Sequence, residues 1–165
     1  MTALNDFKRL SGTLFVDGAW TASASTAQLD VIDPATEDRI GHIADATDAE
    51  VDQAIAIANA ARKAWCAQDT RSRAVVLHDI AAAIRRDKAL YAEHLTREEG
   101  KPFKESVDEI SWCATAIDYY AEVARHETGR LAGNTVPGQF HFAVKEPLGT
   151  VVIVYDGTRN ALQRI

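Results

Sequence analysis

From Thr47 to Thr128 the apolar residues return every three or four positions, and this commits about half of the chain to amphipathic helix. The first helix has a marked start, because Thr47 is followed three residues later by Glu50 in the pattern of a capping box. Val51, Ala54, Ile55, Ala58, Ala61 and Trp65 then fall on one stripe, interrupted by the long stem of Arg62. This stripe is expected to pack on the next helix. A second helix starts near Thr70 and buries Leu77, Ile80, Ala81 and Ile84. Asp87 then offers an N-cap to a shorter helix carrying Leu90, Tyr91 and Leu95, which Gly100 ends as a C-cap. Beyond Lys101-Pro102, the residues Phe103, Val107, Ile110, Ala114, Ile117 and Ala121 share one helical face, with Gly129 just past its end.

The composition fits a globular core. Of 165 residues, 47% are hydrophobic and 25% charged, and the net charge of −6 leaves the scattered basic residues outnumbered by acidic ones. No basic stripe is available for a phosphate backbone or an anionic bilayer, so nucleic acid and membrane are not expected partners. The apolar stretches are too short for a span, and MTALNDFKRL lacks the apolar segment of a secretory leader; the expected location is cytoplasmic. Cys66 and Cys113 form no C-x-x-C pair and read as small buried hydrophobes on helices, not as a disulfide or zinc pair.

The flanks are β-like. LFVDGAW at 14–20 places an Asp17-Gly18 turn between apolar residues, and LDVIDPATEDRIGHIADA at 29–46 repeats the device around Pro34. Together they suggest a short N-terminal β-meander, in which Asp33 is a turn residue and not a general base. Near the other end Phe140, Phe142 and Val144 alternate with His141, Ala143 and Lys145, the pattern of a strand over 139–145 with one face buried. After Pro147-Leu148-Gly149 the run VVIV suggests a strand covered on both faces, as in a parallel sheet. A parallel neighbour needs a crossover of a dozen or more residues, about as much as YDGTRNALQRI could supply with nothing left for the strand itself. The expected architecture is an α+β fragment: meander, three to four amphipathic helices, one strand, and the first strand of an incomplete sheet.

Five of these stretches, taken in order, resemble the N-terminal part of the NAD(P)-dependent aldehyde dehydrogenase superfamily. They are LFVDGAW with VIDPATEDRIGHI, the helix VDQAIAIANAARKAW, REEGKP at 97–102, the helix ending DYYAEVARHETG, and KEPLG with its apolar strand. The resemblance covers roughly 14–154, leaving 1–13 as an extension and 155–165 as a divergent tail. It implies that the parent fold is an α/β enzyme with a dinucleotide-binding sheet, and that the strand after P-L-G enters a Pro-Trp-Asn turn whose asparagine stabilises the oxyanion. Those three positions fall here on Asp156, Gly157 and Thr158, and none matches; Asn160 reads as an ordinary loop residue.

The family's general-base glutamate and nucleophilic cysteine have no counterpart in the sequence. The resemblance therefore implies a truncated chain that is inactive alone, with no catalytic, cofactor-binding or metal-binding residue of its own; NAD or NADP belongs to the complete family member. A nucleophilic role for Cys113 is disfavoured by Asp108, Glu109 and Asp118, which would raise its pKa. No G-x-G-x-x-G, Walker loop, H-E-x-x-H or G-x-S-x-G is present. His42, His78, His94, His126 and His141 are dispersed and read as surface or partner-facing, and Glu98, Glu99, Lys101, Lys104 and Glu105 as a solvated face. In the family the strand matching FHFAV belongs to a small β-arm used between subunits. This implies that Phe140, Phe142 and Val144 lie on an unpaired edge suited to self-association or to a paralogous aldehyde dehydrogenase subunit, making the chain an interaction module. The remaining alternative is a remnant with no selected role.

Overall fold

Two short turns organise the N-terminal third. Asp17 and Gly18 both take left-handed backbone angles (φ 53° and 76°), the combination that closes a two-residue hairpin. They join β1 (Thr13–Val16) to β2 (Ala19–Ala22), with Phe15 opposite Trp20 and their ring centroids 5.1 Å apart. The second hairpin pairs β3 (Gln28–Ile32) with β4 (Arg39–Ala44), with an irregularity between Val31 and Ile32. Asp33 shapes its turn as expected, accepting a 2.9 Å bond from the Ala35 amide at Oδ1 while its own amide donates to the Asp38 carbonyl. A computed structural model describes residues 10–126, 129–133 and 136–153 of the chain, and it contains these elements in an α+β arrangement.

The expected meander is instead two separate two-stranded sheets. The connection between them explains why: Ser23 Oγ and the Ala24 amide turn aside to donate to the Glu50 carboxylate at 2.9 and 2.7 Å, so β2 is not led alongside β3. Glu50 also accepts from the amide and hydroxyl of Thr47, completing the capping box that begins α1 (Asp48–Ala67). With the Thr47 and Ala24 amides as the leading donors, its pKa falls to about 2.

Four helices follow the periodicity closely: α1, α2 (Thr70–Arg86), α3 (Lys88–Glu99) and α4 (Phe103–His126). Asp69 caps α2 by accepting from the Ser72 amide. Asp87 stands at the start of α3, but its carboxylate is engaged by Arg86 at 2.6 and 3.1 Å and makes no capping bond. Gly100 ends α3 in the left-handed region, as anticipated. The core lies between α2, α3 and α4, where Ala81, Ile84, Ala92, Ile110 and Ala114 are fully buried and Ile80, Val107 and Ile117 pack around them. A second, smaller cluster joins Val31 and Ile40 of the hairpin to Leu90 of α3. Ser106, also buried, bonds Thr96 Oγ1 at 2.9 Å and ties α4 to α3.

Several expectations are corrected here. The stripe of α1 does not pack on the next helix: no residue of α1 is buried, because α2 and α4 close on each other through their alanines and leave α1 outside. Phe103, at the first turn of α4, lies beyond the core and is half exposed. The strand over 139–145 is reduced to β6 (His141–Ala143), which pairs antiparallel with β5 (Arg130–Ala132) on one side, Leu131 facing Phe142, and in this two-stranded sheet has no partner strand on its other side among the described residues. Neither face of it is buried; Phe140 and Phe142 are 80% and 72% exposed. Val151–Ile153 join no ladder and are exposed, which is what a parallel-sheet strand becomes without neighbours. Val154 and the tail 155–165, with Asp156, Gly157, Thr158 and Asn160, lie outside the described residues, as do 1–9.

Candidate functional site

Each reactive side chain singled out in the sequence can be tested against its surroundings. Cys113 sits on the inner flank of α4, partly buried, and burial first, then the Glu109 carboxylate, pushes its thiol pKa up. A thiol in that field is a poor nucleophile. Asp118, one of the three acids expected to act on it, faces away toward His78 and Arg85. Cys66 is half-buried near the end of α1, and both cysteines are free thiols.

The expected solvated face around the α3–α4 junction is only partly solvated. Glu98 is buried, together with His94 one helical turn before it, which also corrects the reading of His94 as surface or partner-facing. The two lie on the same side of α3 as Tyr91 and Leu95, a placement that the three- and four-residue spacing of 91, 94, 95 and 98 already contains. Lys101 reaches across to Glu109 in an ion pair that pushes the ammonium pKa up, whereas Lys104 and Glu105 are exposed. Glu99 and Glu105 add weaker charge attraction to the same ammonium.

A dinucleotide would need backbone amides at a helix start, free of negative charge, to hold its phosphates. Here the start of α1 is filled by Glu50 and Asp48 and that of α2 by Asp69, while at the start of α3 the Asp87 carboxylate is engaged by Arg86. No strand runs into a glycine-rich loop at any of them among the described residues. The described residues thus present acidic side chains at these helix starts, and the sequence contains no G-x-G-x-x-G. Nor do they contain a group of three or more His, Cys, Asp or Glu arranged to hold a metal ion.

The prominent surface features are apolar. A groove of about 560 Å³ runs along α2 and α4, lined by Leu77, Trp112, Cys113, Ala116, Ile117 and Tyr120. Val51 and Trp65 show on α1, and the β5–β6 arm presents Leu131, Phe140, Phe142 and Val144. No described helix is long and apolar enough to cross a membrane.

Residues 20–155 match the aldehyde dehydrogenase family, and the chain belongs to that family. It is 33% identical over 139 residues to a D-glyceraldehyde dehydrogenase (NADP(+)) of Thermoplasma acidophilum, covering 84% of this chain and 28% of that protein. It is 30% identical over 155 residues to the succinate-semialdehyde dehydrogenase [NADP(+)] of Escherichia coli, covering 92% of this chain and 31% of that protein. Among solved structures, the succinate-semialdehyde dehydrogenase of Burkholderia pseudomallei superimposes with a TM-score of 0.78 at 30% identity, over 84% of this chain and 29% of that one. The chain thus spans 28% to 31% of the length of these relatives.

Proposed function

We propose that this chain supplies the N-terminal part of an enzyme that oxidises an aldehyde to a carboxylic acid with NAD+ or NADP+, and that it catalyses nothing by itself. The observation carrying this reading is the family match through residues 20–155. The surroundings of Cys113 and the acidic helix starts support the second half of it, since the described residues offer neither an activated nucleophile nor a phosphate cradle. Hydride transfer needs the nucleophile, the aldehyde and the nicotinamide aligned in one place, and without that alignment most of the rate enhancement is lost. The role left to the chain is structural: a helical wall whose apolar faces are completed by other parts of the enzyme. The two free thiols support a cytoplasmic location.

The purified 165-residue chain, mixed with NAD+ or NADP+ and either succinate semialdehyde or D-glyceraldehyde, is expected to produce no reduced nicotinamide above the protein-free rate. It is also expected to show no saturable cofactor binding by calorimetry. Steady turnover by homogeneous material would overturn the reading.

The exposure of Phe140, Phe142 and Val144 favours a second reading, in which the β5–β6 arm associates with a second copy or with a paralogous aldehyde dehydrogenase subunit. Light scattering should then detect oligomers of the chain, and a Phe140→Asp/Phe142→Asp double variant should shift the population to monomer. A wild-type chain that stays monomeric at high concentration and binds no complete paralogue would rule the arm out as an interface.

A further inference from the structure

We propose that His78 is a proton-dependent latch between α2 and α4, closed while both ring nitrogens carry a proton and opened when one is lost. The geometry that carries this is the placement of the ring between two carboxylates of the facing helix. Nδ1 lies 2.6 Å from Asp118 Oδ1 and Nε2 lies 2.8 Å from Glu122 Oε1. Asp118 and Glu122 are four residues apart and so share one face of α4, directed at His78 on α2.

A neutral imidazole has one N–H and one lone pair. Whichever tautomer formed, one ring nitrogen would then turn a lone pair toward a carboxylate oxygen at hydrogen-bond distance, and that contact would have to open. The imidazolium has two donors and satisfies both acceptors with charge-assisted bonds. The latch is therefore an all-or-none requirement on one proton.

The neighbouring charges fix the carboxylates without replacing that proton. Arg85 of α2 holds Asp118 Oδ2 at 2.5 Å, and Arg125 of α4 holds Glu122 at 3.0 Å. The charged groups that raise the His78 pKa are Asp118 and Glu122, both from α4; α3, packed at the far end of α2, adds none. All five side chains keep partial access to solvent, so the site can follow bulk pH. An isolated pair so exposed would contribute little, but five charges arranged as a network are the exception to that rule.

The two carboxylates raise the His78 pKa above its ordinary 6.5. Its contribution to the folded state is complete below 6.5 and lost as pH rises through the higher, folded-state value. His78 and Arg85 hold Asp118 below 3.8, and His78 and Arg125 hold Glu122 below 4.5. Their contribution is present above those ordinary values and lost as pH falls through the lowered ones. The latch is closed between these limits. Leu77 and Ile117, each adjacent in sequence to a latch residue, line the apolar groove between the same two helices.

The test uses the 165-residue chain, its urea midpoint followed from acid to alkaline pH, and the ring-proton NMR titration of its histidines. Relative to His78→Gln, the wild-type midpoint should be higher at mildly acidic pH, and the difference should close as pH rises above 6.5. The resonance missing from the variant should be one that titrates above that value. Parallel midpoint curves at every pH, or a His78 titration at or below 6.5, would overturn the proposal. If His78→Gln does not fold, Glu122→Gln replaces it: removing one carboxylate charge should lower the His78 titration midpoint, and an unmoved midpoint has the same overturning force.

Discussion

Ile110→Ala is expected to lower the unfolding free energy by about 2–5 kcal/mol, the range for truncating a large aliphatic side chain in a packed core. Ile110 is fully buried in the first half of α4, where α2, α3 and α4 meet. Its neighbours include Ala81, Ala92 and Ala114, whose short side chains already bring the helix backbones close together. They cannot extend into the space a missing isoleucine leaves, so the cavity persists and the upper part of the range applies. The check is a urea titration of the wild type and variant with Val75→Ala as the control. Val75 lies on α2 but is exposed, and its truncation should change stability by no more than about 0.5 kcal/mol. Equal effects at the two sites would mean that the core does not lie where the packing places it.

Gly100→Ala is expected to cost roughly 1–3 kcal/mol through two separable causes. Gly100 has φ +73°, a left-handed angle that disfavours any side chain, and a Cβ there would stand 2.8 Å from Pro34 Cγ. The proline ring is stiff and seated in the β3–β4 turn, so it cannot swing away as a long side chain would. A double-mutant cycle with Pro34→Ala should recover the contact part of the loss and leave the backbone part in place. Complete additivity of the two changes would show that α3 does not end against this turn. The glycine in REEGKP, which as a motif fragment carries little weight, thus has a definite physical role, because it lets the helix stop where the hairpin is.

What could be read from the sequence was set by whether a residue's partner also lay within readable distance. Thr47 and Glu50, or Asp17 and Gly18, are local devices and are found as predicted. The stripes of α2 and α4 were legible because each is the other's cover. The stripe of α1 has the same period, yet nothing in periodicity says which surface will meet it, and the expectation that the next helix would do so failed. Alternation at Phe140, Phe142 and Val144 located a strand but not its exposure, and Arg130–Ala132 is too short to announce itself as the partner.

The candidate site divides similarly. The raised thiol pKa of Cys113 follows from burial plus a nearby acid, and Glu109 was visible in sequence. The His78 cluster was not, because its members are 40 and 44 residues apart and meet only once α2 lies along α4. The Asp118/Glu122 spacing was a signal available beforehand, but for one half of the contact only.

The way α1 is attached sets how it can come loose. It has no buried residue, and the bonds that tie it to the rest of the described chain are polar: Ser23 and Ala24 to Glu50 near its start, and Thr150 to Asn59 at 2.8 Å midway along it. Hydrophobic burial gives unfolding its large heat capacity, and α1 contributes little of it. Detachment of this helix is therefore expected to add little to the heat-capacity change, a local opening whose free energy varies almost linearly with temperature beneath the cooperative melting of α2, α3 and α4. The same chain would then contain two thermal regimes, one governed by water around apolar side chains and the other by a handful of carboxylate and amide contacts.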